Sequence, residues 1–199
     1  MRESVSGRPQ GDGVNPEHYA DDLAAGERGE RDYIEYRART GNPIQPWVRE
    51  ERAYPPDYGK PPPRQRLIPA YMRAPDLYCP ITERWKEVKW KRSVGYHFNA
   101  REFVSRIQEK KLPDYVWLAR RHMPVDLIMV VESAEPPQGD LARWRERGEE
   151  PITYPTGVFV GDITELDRVA EYHHKSAWFP LSAFRKVLDI EEYRRVLDA

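Results

Sequence analysis

The stretch VDLIMVV, residues 125–131, decides the fold of this chain. Asp126 is its one polar side chain, and no glycine or proline interrupts it. An apolar run of this length, bounded by turn residues, is typical of a strand that is buried on both faces. We therefore predict a small sheet that contains residues 125–131. Gly157–Val160 is predicted to be a second short strand.

Helix signals lie on both sides of these strands. Asn99 precedes apolar residues that share one helical face, and Pro113 follows them, which predicts a helix between them. Further N-cap residues are Asp114, Thr164 and Ser182. The predicted helices cover residues 100–111, 114–121, 140–147, 164–173 and 182–197. Because strands and helices do not alternate regularly, we predict an α+β fold rather than a doubly wound sheet.

The N-terminal third has a different composition. Asn15 and Pro16 open a predicted helix that ends before Gly41, and Gly26 and Gly29 weaken it. Ten of the 19 prolines follow within residues 42–80. Proline removes backbone donors and fixes φ, so this segment is predicted to be extended. The predicted organisation is a flexible tail (1–14), a helix of the arm (15–41), an extended arm (42–80) and a small α+β domain (81–199).

Aromatic side chains are spaced along the predicted arm, whereas disordered linkers are usually poor in them. Aromatic residues at intervals on an extended chain are typical of anchors that enter pockets on a partner. The predicted partner-binding residues are Trp47, Tyr54, Pro55, Pro56, Tyr58, Tyr71 and Tyr78. Pro55-Pro56-Asp57-Tyr58 also matches the ligand pattern of WW domains. In a segment this rich in proline and tyrosine such a match arises by chance, so we favour constitutive packing.

Charge is distributed unevenly along the chain. The net charge is −1, but residues 81–121 carry 11 basic and 5 acidic side chains, and residues 122–199 carry 9 basic and 15 acidic. The densest basic stretch, RWKEVKWKR, fits a short strand or a helical turn. Its basic residues could contact phosphates while its tryptophans stack on bases. The residues predicted to contact RNA are Arg84, Trp85, Lys86, Lys89, Trp90, Lys91 and Arg92.

Few patterns point to catalysis or to a cofactor. No histidine pair has the spacing of a metal site, so no metal and no cofactor are predicted. Cys79 has no neighbouring histidine in the sequence and is interpreted as a packed thiol. Glu132 and Asp162 each follow a predicted strand, where two carboxylates brought together could perform acid–base chemistry. We interpret them as ordinary strand-end residues, because nothing nearby supplies the other parts of a site.

Composition limits the remaining choices. Apolar residues are 39% of the chain and charged residues 33%, so one core spanning all 199 residues is not expected. A lone cysteine indicates a reducing, intracellular compartment, and the longest apolar run is far shorter than the roughly 20 residues that span a bilayer. We predict a non-catalytic accessory subunit whose arm clasps neighbouring subunits, as in mitochondrial respiratory assemblies. The alternatives are an RNA-contacting ribonucleoprotein component and a small enzyme whose site forms only in three dimensions.

Overall fold

The computed structural model describes residues 16–46, 75–121, 123–173 and 175–199. Within these ranges the chain forms five α-helices and two sheets, which confirms the α+β prediction. The elements, in chain order, are α1 (Pro16–Arg39), β1 (Gln45–Pro46), β2 (Leu77–Cys79), β3 (Arg84–Lys91), β4 (Gly95–His97), β5 (Glu102–Gln108), α2 (Leu112–Arg121), β6 (Val125–Val131), α3 (Gln138–Glu146), β7 (Gly157–Asp162), α4 (Ile163–Arg168), β8 (Glu171–His173), β9 (Ser176–Pro180), β10 (Arg185–Leu188) and α5 (Ile190–Asp198). Short 3-10 helices cover Glu109–Lys111 and Leu181–Ala183.

The larger sheet has the strand order β1-β2-β3-β6-β7-β10. β6 has the predicted bounds, and all seven of its residues are buried. It pairs parallel with β3 and antiparallel with β7, which contains the predicted strand Gly157–Val160. The parallel pair needs a crossover connection, and the chain between β3 and β6 supplies it through β4, β5 and α2.

The smaller sheet has the order β4-β5-β9-β8. Ile107, Ala177 and Phe179 from this sheet enter the same hydrophobic core as Trp85 and Leu127 from the larger sheet. The opposite face of the larger sheet packs against α1 and α5, where Tyr33, Val88 and Tyr193 are buried together. The larger sheet therefore has a core on each of its faces.

One helix prediction is wrong, and two are only partly right. Residues 102–108 form β5, because Phe103 and Ile107 fit the alternation of a strand as well as one helical face, and pairing with β9 decides between them. The predicted helix 182–197 is a 3-10 turn, then β10 against the edge of β7, and only then α5. α4 ends at Arg168, and residues 171–173 are β8. The helices predicted at 114–121 and 140–147 correspond to α2 and α3.

The helix α1 and the strand β2 belong to the folded unit. β2 pairs antiparallel with β3, so a division of the chain at residue 81 would separate two hydrogen-bonded strands. α1 crosses β3 at Gly29, where a Cβ would stand 2.5 Å from the Cβ of Trp90. The missing side chain thus lets the helix approach the strand closely. The predicted tail and residues 47–74 of the predicted arm lie outside the described residues.

Candidate functional site

The strand β3 carries charged side chains on both faces of the larger sheet. Because side chains alternate along a strand, Glu87 and Lys89 point to one face and Arg84 and Lys86 to the other. The first pair belongs to a carboxylate site, which we define as Asp76, Glu87, Lys89 and Lys111. The second pair belongs to an ion-pair network, which we define as Arg84, Lys86, Asp126 and Asp162.

Three chain segments build the carboxylate site. Leu77 of β2 pairs with Lys86 of β3, so Asp76 lies beside Glu87 across the two strands. Lys89 follows two positions along β3 on the same face. Lys111 comes from the 3-10 helix that connects β5 to α2.

The contacts within the carboxylate site are close but leave several oxygens unused. Oε1 of Glu87 lies 2.6 Å from Nζ of Lys89 and accepts a hydrogen bond from Nζ of Lys111 at 2.8 Å. Nζ of Lys89 lies 3.8 Å from Oδ2 of Asp76, beyond hydrogen-bond distance. Three buried atoms have no partner within ideal hydrogen-bond geometry, namely Oε2 of Glu87, Oδ2 of Asp76 and the hydroxyl of Tyr115, but Asp76 and Tyr115 each interact with Glu87 through their side chains. Such orphaned groups are uncommon in folded proteins and call for an explanation.

Burial and neighbouring charges shift the pKa values of these groups. Burial, followed by the charge of Glu87, raises the pKa of Asp76 to about 8. Burial alone would raise the pKa of Glu87, but Lys89 and Lys111 hold it well below its usual range. Burial and Glu87 raise the pKa of the Tyr115 phenol. Glu87 is therefore the ionised carboxylate of the pair, and Asp76 holds a proton near neutral pH.

A third carboxylate approaches this site from α1. Burial raises the pKa of Glu30, while Lys89 and Lys111 lower it and Glu87 raises it. These charge interactions place Glu30 within electrostatic range of the carboxylate site. Its neighbour Gly29 makes the close contact with Trp90 that holds α1 against β3.

The ion-pair network on the other face is saturated. Arg84 donates to both oxygens of Asp126 at 2.5 to 3.0 Å and to Oδ2 of Asp162 at 2.7 Å. Nζ of Lys86 donates to Oδ2 of Asp126. Asp162 also caps α4 by accepting from the amide of Thr164 at 2.9 Å. The network lines a cavity of about 600 Å³ beneath α1.

The residues predicted to contact RNA lie in the core, in the ion-pair network, in the carboxylate site and at the end of β3. Trp85 is fully buried and packs against Tyr78, so neither ring is available to a base or to a partner protein. Arg84 and Lys86 are held in the ion-pair network, and Trp90 is partly buried beneath Arg28. Lys89 joins the carboxylate site. Lys91 and Arg92 keep exposed surface where β3 ends.

The remaining predicted residues are placed as follows. Trp47, Tyr54, Pro55, Pro56, Tyr58 and Tyr71 lie outside the described residues, so their predicted role in partner binding stays a prediction. Glu132 and Asp162 lie at opposite ends of the β6–β7 pair, because these strands are antiparallel. They therefore do not form a joint site. Cys79 is buried in β2.

The sequence analysis missed Asp76 as a functional residue. Two features of the sequence could have indicated this residue. The Glu87-Val88-Lys89 triplet puts an acid and a base on one face of a strand, and a second acid lies at the start of the preceding strand. The long segment between β1 and β2 concealed the pairing, because a strand of three residues after many prolines gives no periodic pattern.

Comparisons with known proteins supply no relative. No protein-family model matches the chain, and no curated protein or solved structure is significantly similar to it. Among the helices of the described ranges, none has the length and apolar character needed to cross a bilayer. The described residues also contain no group of three or more histidine, cysteine or acidic side chains arranged to hold a metal ion.

Proposed function

We propose that the chain is a metal-dependent nuclease that hydrolyses phosphodiester bonds at the carboxylate site. The observation that carries this proposal is the contact between two buried carboxyl groups, Asp76 and Glu87, which meet no ideal donor from another residue at Oδ2 and Oε2 and interact with each other. They lie beside the amine of Lys89, which is a positive charge within reach of any anion held there. An arrangement with unsatisfied ligand atoms and a neighbouring cation is suited to a bound ion and a phosphate.

The number of carboxylates fits magnesium or manganese. Mg²⁺ usually keeps several waters and is bound by one or two carboxylates together with substrate phosphates. Asp76 and Glu87 supply two carboxylates, and Glu30 is close enough to interact with Glu87 electrostatically. A site of this kind needs no group of three protein ligands. The ion would displace the proton that Asp76 carries near neutral pH.

The charge around the site favours a polyanionic substrate. Residues 81–121 carry a net charge of +6, and this segment contributes Glu87, Lys89 and Lys111 to the site. Six of its basic side chains are exposed: Arg92, Arg101, Arg106, Lys110, Arg120 and Arg121. Contacts between basic side chains and phosphates supply most of the sequence-independent affinity for nucleic acids. Of the residues predicted to contact RNA, the proposal retains Lys89, Lys91 and Arg92 on the substrate side, whereas Arg84, Trp85 and Lys86 are engaged within the fold.

The reaction requires a water oxygen to bond to phosphorus as the bond from phosphorus to one ester oxygen breaks. A divalent ion lowers the pKa of its bound water and polarises the phosphoryl group. Lys89 stabilises the negative charge that develops on the phosphate oxygens, because its amine is already next to both carboxylates. Lys111 holds Glu87 ionised and oriented. The water proton passes to solvent, and the departing oxygen takes up a proton.

A cleavage assay with two matched variants tests the proposal. The full chain is incubated with single-stranded and duplex DNA and RNA in Mg²⁺, in Mn²⁺ or in EDTA. We expect cleavage in either ion, none in EDTA, and a loss of at least about 100-fold in Glu87→Gln. Glu165→Gln makes the same chemical change at an exposed residue of α4 and should cleave like the wild type. The absence of cleavage for every substrate, or equal cleavage by both variants, contradicts the proposal.

The accessory-subunit prediction depends on residues of the arm that the structure does not describe. Tyr78 is the one described residue of that set, and it belongs to the core. The prediction therefore keeps only its sequence argument. In the cleavage assay, RNA binding without cleavage would favour the ribonucleoprotein alternative over the nuclease.

A further inference from the structure

A groove lies at the end of β3, on the side of the smaller sheet, and Lys91 is the residue of β3 that lines it. Lys91 follows Glu87 and Lys89 on the same face of this strand, since side chains two positions apart point the same way. Beyond Lys91 the groove runs between the end of β3 and the smaller sheet, where it has a volume of about 300 Å³. This volume is at the lower end of the range for small-ligand pockets.

The walls of the groove combine positive charge with an aromatic ring. Lys91 and Ser93 line one side, and Arg106 and Trp178 of the smaller sheet line the other. Arg106 pairs with Trp178 across β5 and β9, and its guanidinium carbon lies 5.3 Å from the centre of the indole ring. Arginine and tryptophan together are the residues on which unpaired bases stack in proteins that bind single strands.

The acidic residue in the groove is already engaged within the protein. Oδ2 of Asp140 accepts hydrogen bonds from the amide of Tyr96 at 2.8 Å and from the hydroxyl of Tyr154 at 3.0 Å. Two neutral donors therefore hold this carboxylate in place within the protein. The groove presents Lys91 and Arg106 as its cationic side chains.

Gly95 lies beside the edge of the Trp178 ring. A Cβ at this position would lie 3.9 Å from Cζ3 of Trp178 and 3.6 Å from Cγ2 of Val104, which are ordinary contact distances. An alanine would therefore fit, whereas a longer side chain would extend into the space beside the ring.

We propose that the groove holds an unpaired nucleotide of the substrate, with its base on Trp178 and its phosphate at Lys91. This assignment rests on the proposed nuclease function and makes the preferred substrate a single strand or a single-stranded end. A groove of this volume holds about one base and excludes a duplex. Consecutive phosphates of the strand would then follow Lys91 and Lys89 towards Asp76 and Glu87.

Binding measurements without divalent ions test the groove separately from cleavage. Fluorescence anisotropy compares a labelled single strand of about 12 nucleotides with a duplex of the same length. We expect the wild type to favour the single strand and Trp178→Ala to lower that affinity about tenfold, while duplex affinity stays within about twofold. Trp178→Phe should retain most of the affinity, since it keeps an aromatic face.

Two further variants exclude a purely structural effect. Gly95→Leu should weaken single-strand binding as Trp178→Ala does, and Gly95→Ala should not. Tyr172→Ala removes an exposed aromatic side chain from β8 of the same sheet and should leave binding unchanged. The groove assignment is overturned if Trp178→Ala weakens both substrates equally or neither. Failure of the wild type to cleave in the earlier assay would instead contradict the nuclease, whatever these affinities show.

Discussion

The two charged groups on either face of β3 have similar composition but opposite states. Each contains two acids and two bases, and each joins β3 to a neighbouring strand of the same sheet. In the ion-pair network, every buried polar atom among Arg84, Lys86, Asp126 and Asp162 has a partner in the described structure. In the carboxylate site, Oδ2 of Asp76 and Oε2 of Glu87 lack an ideally placed donor, and Glu87 interacts instead with the protonated Asp76 and with the Tyr115 hydroxyl.

Under the proposed function, this difference distinguishes a group that stabilises the fold from a group that acts on a substrate. A saturated buried network fixes the register of its strands and has no remaining capacity for a ligand. An unsaturated one costs folding free energy, because each buried polar atom without a partner destabilises the native state. Proteins retain such destabilising polar groups mainly where a ligand or a reaction later satisfies them. We therefore expect substitutions in the carboxylate site to affect activity and those in the network to affect stability.

The largest expected effect is on cleavage by Lys89→Ala. Removing the amine beside both carboxylates removes the charge that stabilises the reacting phosphate, so the rate should fall by about 100-fold or more. Single-turnover cleavage at a saturating protein concentration measures this rate. Lys186→Ala, which removes an exposed lysine paired with Asp189, is the control and should cleave normally. Normal cleavage by Lys89→Ala would remove the distinction between the two groups.

The next largest effect is on stability in Asp126→Asn. This change leaves Arg84 and Lys86 without their shared buried carboxylate, which should lower the free energy of unfolding by about 3–5 kcal/mol. Urea denaturation measures the loss. Cleavage per folded molecule should remain near the wild-type rate, because Asp126 faces away from Asp76 and Glu87. A large loss of activity in the folded fraction would show that the network also serves the reaction.

A smaller effect tests how α1 is held against β3. In Gly29→Ala the new Cβ would stand 2.5 Å from Cβ of Trp90, which forces the helix away from β3. We expect a loss of about 1–3 kcal/mol, larger than the helix-propensity gain of about 1 kcal/mol. Gly26→Ala meets no atom within 4 Å and should stabilise the same helix. Thermal unfolding of the two variants should move in opposite directions, and a shared direction would contradict the close packing at Gly29.

More of the fold than of the candidate site could be predicted from the sequence. The run 125–131 identified the central strand because burial on both faces leaves an unbroken apolar pattern. Residues 102–108 were mistaken for a helix because Phe103 and Ile107 satisfy both periods, and only pairing with β9 decides between them. Asp76 could not be assigned because its partner is set by strand register. Lys89 was predicted only to contact RNA, because its ion pair with Glu87 depends on the three-dimensional structure.

The smallest effect concerns the pH dependence of the ion-pair network. Burial would raise the pKa of Asp162, but hydrogen bonds from the Thr164 hydroxyl and from Arg84 outweigh it and lower the pKa in the folded state. A lowered pKa stabilises the fold above the pKa of the unfolded chain, and that stabilisation is lost as the pH falls through the folded value. Asp162→Asn keeps an N-cap residue for α4 and removes only the charge.

The side chain of Asp162 is about one-third exposed, so solvent screens its charge, and the cost of Asp162→Asn at pH 7 should be no more than about 1 kcal/mol. The gap between wild type and variant should begin to close below about pH 5 and should keep closing as the pH falls past the usual aspartate pKa and through the lowered folded value, because the wild-type carboxylate then gains its proton. Urea denaturation across this range measures it. A gap that stays constant with pH would mean that Asp162 acts through its hydrogen bonds alone, and that Asp126 carries the charge balance of the network.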